Sequence, residues 1–343
     1  MTLAFKSIFL VCAMTLASLP AMAQHVRITP LGSHPGELCA NDRATIFEDP
    51  SGVRILYDAG QTVTGADDAR LGEIHVVLLS HAHGDHIGDQ KLKAPGAGTC
   101  ANSERVPAGP NSTTAEIAAA KNAAIVMTSD MGSFIGRKVQ KIRGKLVAPC
   151  PQTAGATSVP VATACRSATH LGGSFIAKAP NAAQGVEITI VYASHANNVP
   201  LSLLSEAQRA NLEPDDTSIV LGPPTGYVVR FTNGLTAYLS GDTGIHTEMK
   251  TVVNEYHRAN LAVFNLGPSA VSVVSAAHAM NELVRPASVI LTHPNEAVTE
   301  GGKLRPASRA AALIKLLKGP VAQLAISGRT MEFDGRGQCV AGC

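Results

Sequence analysis

The sequence predicts a mixed α/β or α+β domain with irregular structure inserted in its middle. Three observations point there. Short apolar segments, alternating as half-buried strands do, fill residues 26–87. Strand patterns and helical patterns alternate again over 186–334. Between them, residues 88–185 turn to Ala, Gly, Pro, Ser and Thr.

Taken in order, Val26-Arg27-Ile28 and residues 53–57 alternate, and residues 74–79 read as a short buried strand between Gly72 and a His-rich loop. Pro95, Gly96, Gly98, Pro107, Gly109 and Pro110 mark loop. Thr113 followed by Glu116 reads as a capping box ahead of an Ala-rich helix over 114–124. Residues 186–192 alternate well. Strands over 227–232 and 235–239 are joined by Asn233-Gly234, a strong short hairpin signal. Residues 261–266 and 288–292 are further strands. Helical patterns cover 272–285 and 306–318, with Pro306 suited to a first turn. No repeat of fixed period is present.

Composition narrows the function classes. Of the 343 residues, 45% are hydrophobic and 16% charged, which excludes a disordered chain. A net charge of +2 supplies no basic field, and 4% aromatics without Trp supply few stacking platforms, so no nucleic-acid partner is expected. Residues 1–23 read as a signal peptide: Lys6, an apolar run over 8–19, then the small-residue site Ala21-Met22-Ala23. The expected product is one domain over 24–343, with its insertion at about 88–185, in the periplasm or secreted. No later segment has the length and apolarity of a membrane span. Six cysteines remain after cleavage: Cys39, Cys100, Cys150, Cys165, Cys339 and Cys343. In an oxidising compartment they read as disulfides. Cys150 and Cys165 flank 14 residues with little core of their own and are expected to pair, a closure contributing about 3 kcal/mol. The pairing of the other four stays open.

The chemistry centres on Ser80-His81-Ala82-His83-Gly84-Asp85-His86, directly after the buried strand. Imidazole and carboxylate donors suit zinc, iron or manganese. His81 and His83 alternate and can face one ion. Asp85 and His86 follow a glycine that lets the chain turn, so they can reach a second. Further ligands must come from other strand ends, where sites are built. His195, Asp242 and His293 each stand immediately after an apolar strand.

These residues, with Asp58 in Leu56-Tyr57-Asp58-Ala59-Gly60, resemble in order the five motifs of the metallo-β-lactamase fold superfamily. The resemblance covers most of residues 26–330, outside the insertion. It implies a four-layer αββα sandwich with metals at one edge. It implies one ion on His81, His83 and His195, a second on Asp85, His86 and His293, and Asp242 bridging them. Asp58 is similar to a carboxylate that fixes the tautomer of a ligand His. The implied chemistry is hydrolysis of an ester, lactone or phosphodiester by hydroxide generated between two divalent ions, with Zn2+ first and Mn2+ or Fe2+ as alternatives. Asp85 is the candidate proton acceptor, or the group that orients the hydroxide. Gly241-Asp242-Thr243-Gly244 and Val263-Phe264-Asn265-Leu266-Gly267 look most like the ascorbate-phosphate lactonase-related branch, although Thr292-His293-Pro294-Asn295 departs from its ending. His246 and Asn265 are candidate contacts to a small-molecule substrate. An iron-dependent redox enzyme on the same fold, or a zinc β-lactamase-like amide hydrolase, is the alternative.

Overall fold

The computed structural model describes residues 25–167 and 169–343. The expected signal peptide, 1–23, lies outside the described residues. Two eight-stranded sheets form the centre. The first runs in the order Cys339–Ala341, Met331–Phe333, Val26–Leu31, Ala44–Glu48, Arg54–Tyr57, Val76–Leu78, Ala124–Val126, Cys165–Arg166. The second runs Val321–Leu324, Ser288–Thr292, Leu261–Asn265, Thr236–Leu239, Thr225–Arg230, Val186–Tyr192, Ser174–Lys178, Thr157–Ser158.

The period-two geometry of a strand sorts its side chains into two layers. Val76 and Leu78 share a core with Ile188, Tyr227 and Leu239 of the other sheet. Val77 and Leu79 point the other way, into a cluster with Ile117, Met131 and Ile135. The latter three belong to the helices Thr113–Lys121 and Ser129–Arg143. On the far side, Val273–His278 with its continuation to Val284, and Arg309–Leu316, pack through Ala276, Met280 and Leu313. The result is the α+β, αββα sandwich that the sequence leads one to expect.

Several local expectations shift. Strand Ala44–Glu48 was not predicted because it is buried on both faces and so shows no alternation. The helix at 113 is capped by Ser112, whose hydroxyl accepts from Ala115 N; Glu116 instead accepts from Gly109 N and pairs with Lys91. The C-terminal helix starts at Arg309 behind Ser308, leaving Pro306 outside it. The 88–185 segment holds the expected loops, and it also sends short strands into both sheets. Ala124–Val126 is three residues long, too short to display a period. Cys150 and Cys165 pair, as do Cys39 with Cys100 and Cys339 with Cys343.

Parallel pairing positions the site. Thr236–Leu239, Leu261–Asn265 and Ser288–Thr292 run parallel, as do Arg54–Tyr57, Val76–Leu78 and Ala124–Val126, so their C-terminal ends share an edge. Two tyrosines join the sheets beneath that edge. Their rings meet edge-on at 6.2 Å. Gly241 N donates to Tyr57 Oη at 2.9 Å, and Tyr227 Oη donates to Leu79 O at 2.7 Å. Among the described residues, no helix is long and apolar enough to cross a membrane.

Candidate metal centre

The structure brings the seven predicted donors together. His81 Nε2 lies 3.0 Å from His83 Nδ1, and the rings of both stand about 5 Å from His195, at 5.0 and 5.2 Å. His86 Nε2 faces His293 Nε2 at 3.0 Å, and Asp85 Oδ2 lies 3.5 Å from His293 Nε2. Asp242 faces both groups: Oδ2 is 3.5 Å from His86 Nε2 and 3.8 Å from His195 Nε2, and Oδ1 is 3.4 Å from His293 Nε2. Three sets of donor atoms each fall within 4.8 Å of one another: His81, His83, His195; His81, His86, Asp242; and Asp85, His86, His293.

Each set has its supports. Asp58, buried and at φ 42°, accepts from Ser80 N at 2.8 Å and from Ser80 Oγ at 2.7 Å, and meets His86 Nδ1 at 2.8 Å. That bond places a proton on Nδ1 and turns Nε2 toward His293. His293 also holds a left-handed backbone, φ 50°, and its N–H donates to Asp42 O at 3.1 Å. Such positions cost about 1–3 kcal/mol each and persist only where the surroundings enforce them. Asn197 Oδ1 accepts from Ala82 N at 2.8 Å, tying the His195 loop to the His81–His83 loop. Arg43, its side chain 1% exposed, donates to Asp85 Oδ2. Sequence reasoning missed Arg43 and Asn197, since no local pattern marks partners 42 and 115 positions away.

The two candidate substrate contacts fall elsewhere. Asn265 is 1% exposed, and its Nδ2 donates to Asp242 Oδ1 at 2.9 Å. In this position it braces the carboxylate. His246 lies edge-on to Tyr192 at 5.2 Å and joins none of the three donor sets.

The electrostatics divide the donors. Burial pulls His81 well below the ordinary imidazole range, helped by His86. His83 and His195 are lowered as well, by burial and then by neighbouring imidazoles, although Asp242 pulls His195 the other way. All three are neutral, the form that binds metal. Burial also pulls His86 down, but Asp242, Asp58 and Asp85 outweigh it and push it up to about 10. Burial raises Asp242 and Asp85. The histidines more than offset this for Asp242, and Arg43 with the histidines does so for Asp85. Both carboxyls therefore stay ionised. The donors are all imidazole nitrogens and carboxylate oxygens, and His293 Nδ1 is buried without a partner among the described residues. Imidazole nitrogens and ionised carboxylates pointed at one another fit divalent cations.

No protein-family model matches the chain. Its structure is similar to that of a metallo hydrolase from Ignicoccus hospitalis, with a TM-score of 0.53 and 20% identity over 90% of this chain and 99% of that one. This is the metallo-β-lactamase fold. In sequence, the chain is similar to a UPF0173 metal-dependent hydrolase of Cupriavidus metallidurans, 26% identical over 273 residues, covering 76% of this chain and 75% of the relative. A second such hydrolase, from Pyrococcus horikoshii, is 23% identical over 245 residues, covering 71% and 77%. The metallo-β-lactamase fold accounts for the gathering of residues as distant as Asp58 and His293 at one sheet edge.

Proposed function

We propose that the chain is a metal-dependent hydrolase with a dinuclear centre, acting on an ester, a lactone or a phosphodiester of a small molecule. The convergence of the seven donors, with Asp242 facing His195 on one side and His86 and His293 on the other, carries this reading. The relatives named metal-dependent hydrolases support it. His81, His83 and His195 would hold one ion, and Asp85, His86 and His293 the other, with Asp242 between them. Zn2+ is the first choice, Mn2+ and Fe2+ the alternatives. A divalent ion supplies Lewis acidity there, which polarises the scissile group and makes water nucleophilic near neutral pH.

The protein's own groups do the rest. Asp58 keeps the proton of neutral His86 on Nδ1. Asn265 fixes Asp242 Oδ1. Asp85, held ionised by Arg43, accepts a hydrogen bond and so orients the attacking water. His83, His195 and Asp85 are partly exposed, whereas His86 and His293 are fully buried, so substrate approaches across the face that His83, His195 and Asp85 share. A panel of lactones, p-nitrophenyl phosphodiesters, aryl sulfates and β-lactams tests the reading. Turnover of an ester, lactone or phosphodiester, lost on chelation and restored by Zn2+, is expected. Turnover of β-lactams alone, or consumption of oxygen, would overturn it.

Export is part of the proposal: residues 1–23 as a cleaved signal peptide, and 24–343 as one domain. Three disulfides support an oxidising destination. N-terminal sequencing of the expressed protein should start at Gln24; a mature chain that retains Met1 would refute cleavage.

A further inference from the structure

Arg43 is a buried guanidinium at the centre, with no ligand chemistry of its own. Its Nη1 donates to Asp85 Oδ2 and its Nε to Asn41 O at 3.2 Å. A guanidinium with a side chain 1% exposed is unfavourable unless it is paired. Here its partner is the most exposed donor of the buried set, Asp85, whose side chain is 37% exposed. The backbone makes room for the reach. Gly60 stands at φ 55°, and a Cβ there would come within 3.2 Å of Arg43 Cγ and Cδ and 2.6 Å of Asp85 O.

The preceding residue acts on the same set. Asp42 O accepts from His293 N at 3.1 Å and from Thr292 Oγ1 at 3.3 Å. Asp42's carboxylate accepts from Ser33 N and Cys39 N, both at 2.8 Å, and Cys39 is bonded to Cys100. One stapled dipeptide thus touches two of the three donors, Asp85 through a side chain and His293 through the backbone.

We propose that Asp42-Arg43 positions the Asp85, His86, His293 set, so that the affinity for the ion held there depends on Arg43 although Arg43 never touches the ion. The proposal rests on the dinuclear reading above. Two effects oppose each other. Removing the guanidinium removes a positive charge from beside a cation, which favours uptake. It also frees Asp85, a partly exposed side chain, to turn into solvent, which disfavours uptake. The geometry gives the second effect the larger share, because a fixed partner behind a ligand governs how well that ligand binds.

The test is Zn2+ titration of the metal-free full-length protein against a competing chelator, with Co2+ absorption spectra as a second readout. Wild-type protein should show two binding events. Arg43→Met should weaken one event by about ten- to hundred-fold, leave the other unchanged, and remove one component of the Co2+ spectrum. Arg43→Lys keeps the charge without the planar fork and should fall between the two; it carries the comparison alone if Arg43→Met does not fold. On an Asp85→Asn background, Arg43→Met should add nothing further. Two unchanged events in either Arg43 variant, equal weakening of both, or an additive loss on the Asp85→Asn background would overturn the positioning role. A single event in the wild type would overturn the dinuclear reading itself.

Discussion

The two donor groups proposed to hold ions are built by different means. His81, His83 and His195 lean chiefly on one another, ring against ring, with Asn197 tying their two loops together. They are neutral, and two of the three reach solvent. Asp85, His86 and His293 are held from behind by Arg43, Asp58 and Asp42, and the carboxylates of Asp242, Asp58 and Asp85 push His86 up to about 10. In the second set only Asp85 reaches solvent, while His86 and His293 are fully buried. On the proposed reading, metal binding would have a different electrostatic character on each side of Asp242.

The change that would break the comparison most thoroughly is Asp242→Ala. In the proposed dinuclear centre it would remove a negative charge from between two dications, so their repulsion would rise and one ion should be lost. Hydrolysis should fall by an amount corresponding to several kcal/mol of transition-state stabilisation, on the order of a positioned metal's contribution. His293→Ala removes a neutral donor from the second set only, and should leave the first set loaded with a smaller loss of turnover. Metal analysis beside steady-state kinetics checks both. Asp242→Ala protein with two ions and near-normal turnover would show that Asp242 is not the shared ligand.

A gentler experiment sharpens the same contrast. In metal-free protein His86 is raised from 6.5 to about 10. Its contribution to folding stability is therefore fully present below its unfolded value and lost as pH rises through the folded one. Over the range between, metal must expel the proton. Affinity at the second set should rise with pH, by up to about tenfold per unit, with about one proton released per ion. The first set, with lowered imidazoles, should take up metal with little pH dependence above neutrality. Calorimetry in buffers of differing ionisation enthalpy separates the two. Equal proton release at both events would contradict the division.

What the sequence disclosed follows from where its signals are local. His81 to His86 sit within six residues after one strand, the last two in the short helix Gly84–Ile87, and His195, Asp242 and His293 each follow an apolar strand, so strand ends pointed to them. The supports were hidden because they act across long sequence distances. Arg43 follows two polar residues in an ordinary-looking loop, and only the packing of Gly60 and the Asp85 carboxylate reveals its direction. Asn265 shares a strand end with the candidate ligands, and sequence position does not tell a side chain facing substrate from one facing Asp242. Ala44–Glu48 and Ala124–Val126 went unread for a related reason: double-sided burial and brevity erase the period that marks a strand.

The central claim, two ion sites sharing Asp242, is tested most directly by counting metal in the wild-type protein. Metal-free chain reloaded with Zn2+, desalted and analysed by mass spectrometry under native conditions, should carry two ions, the second lost in Asp242→Ala. A wild-type chain that saturates at one ion, with Asp242→Ala binding the same number, would contradict it.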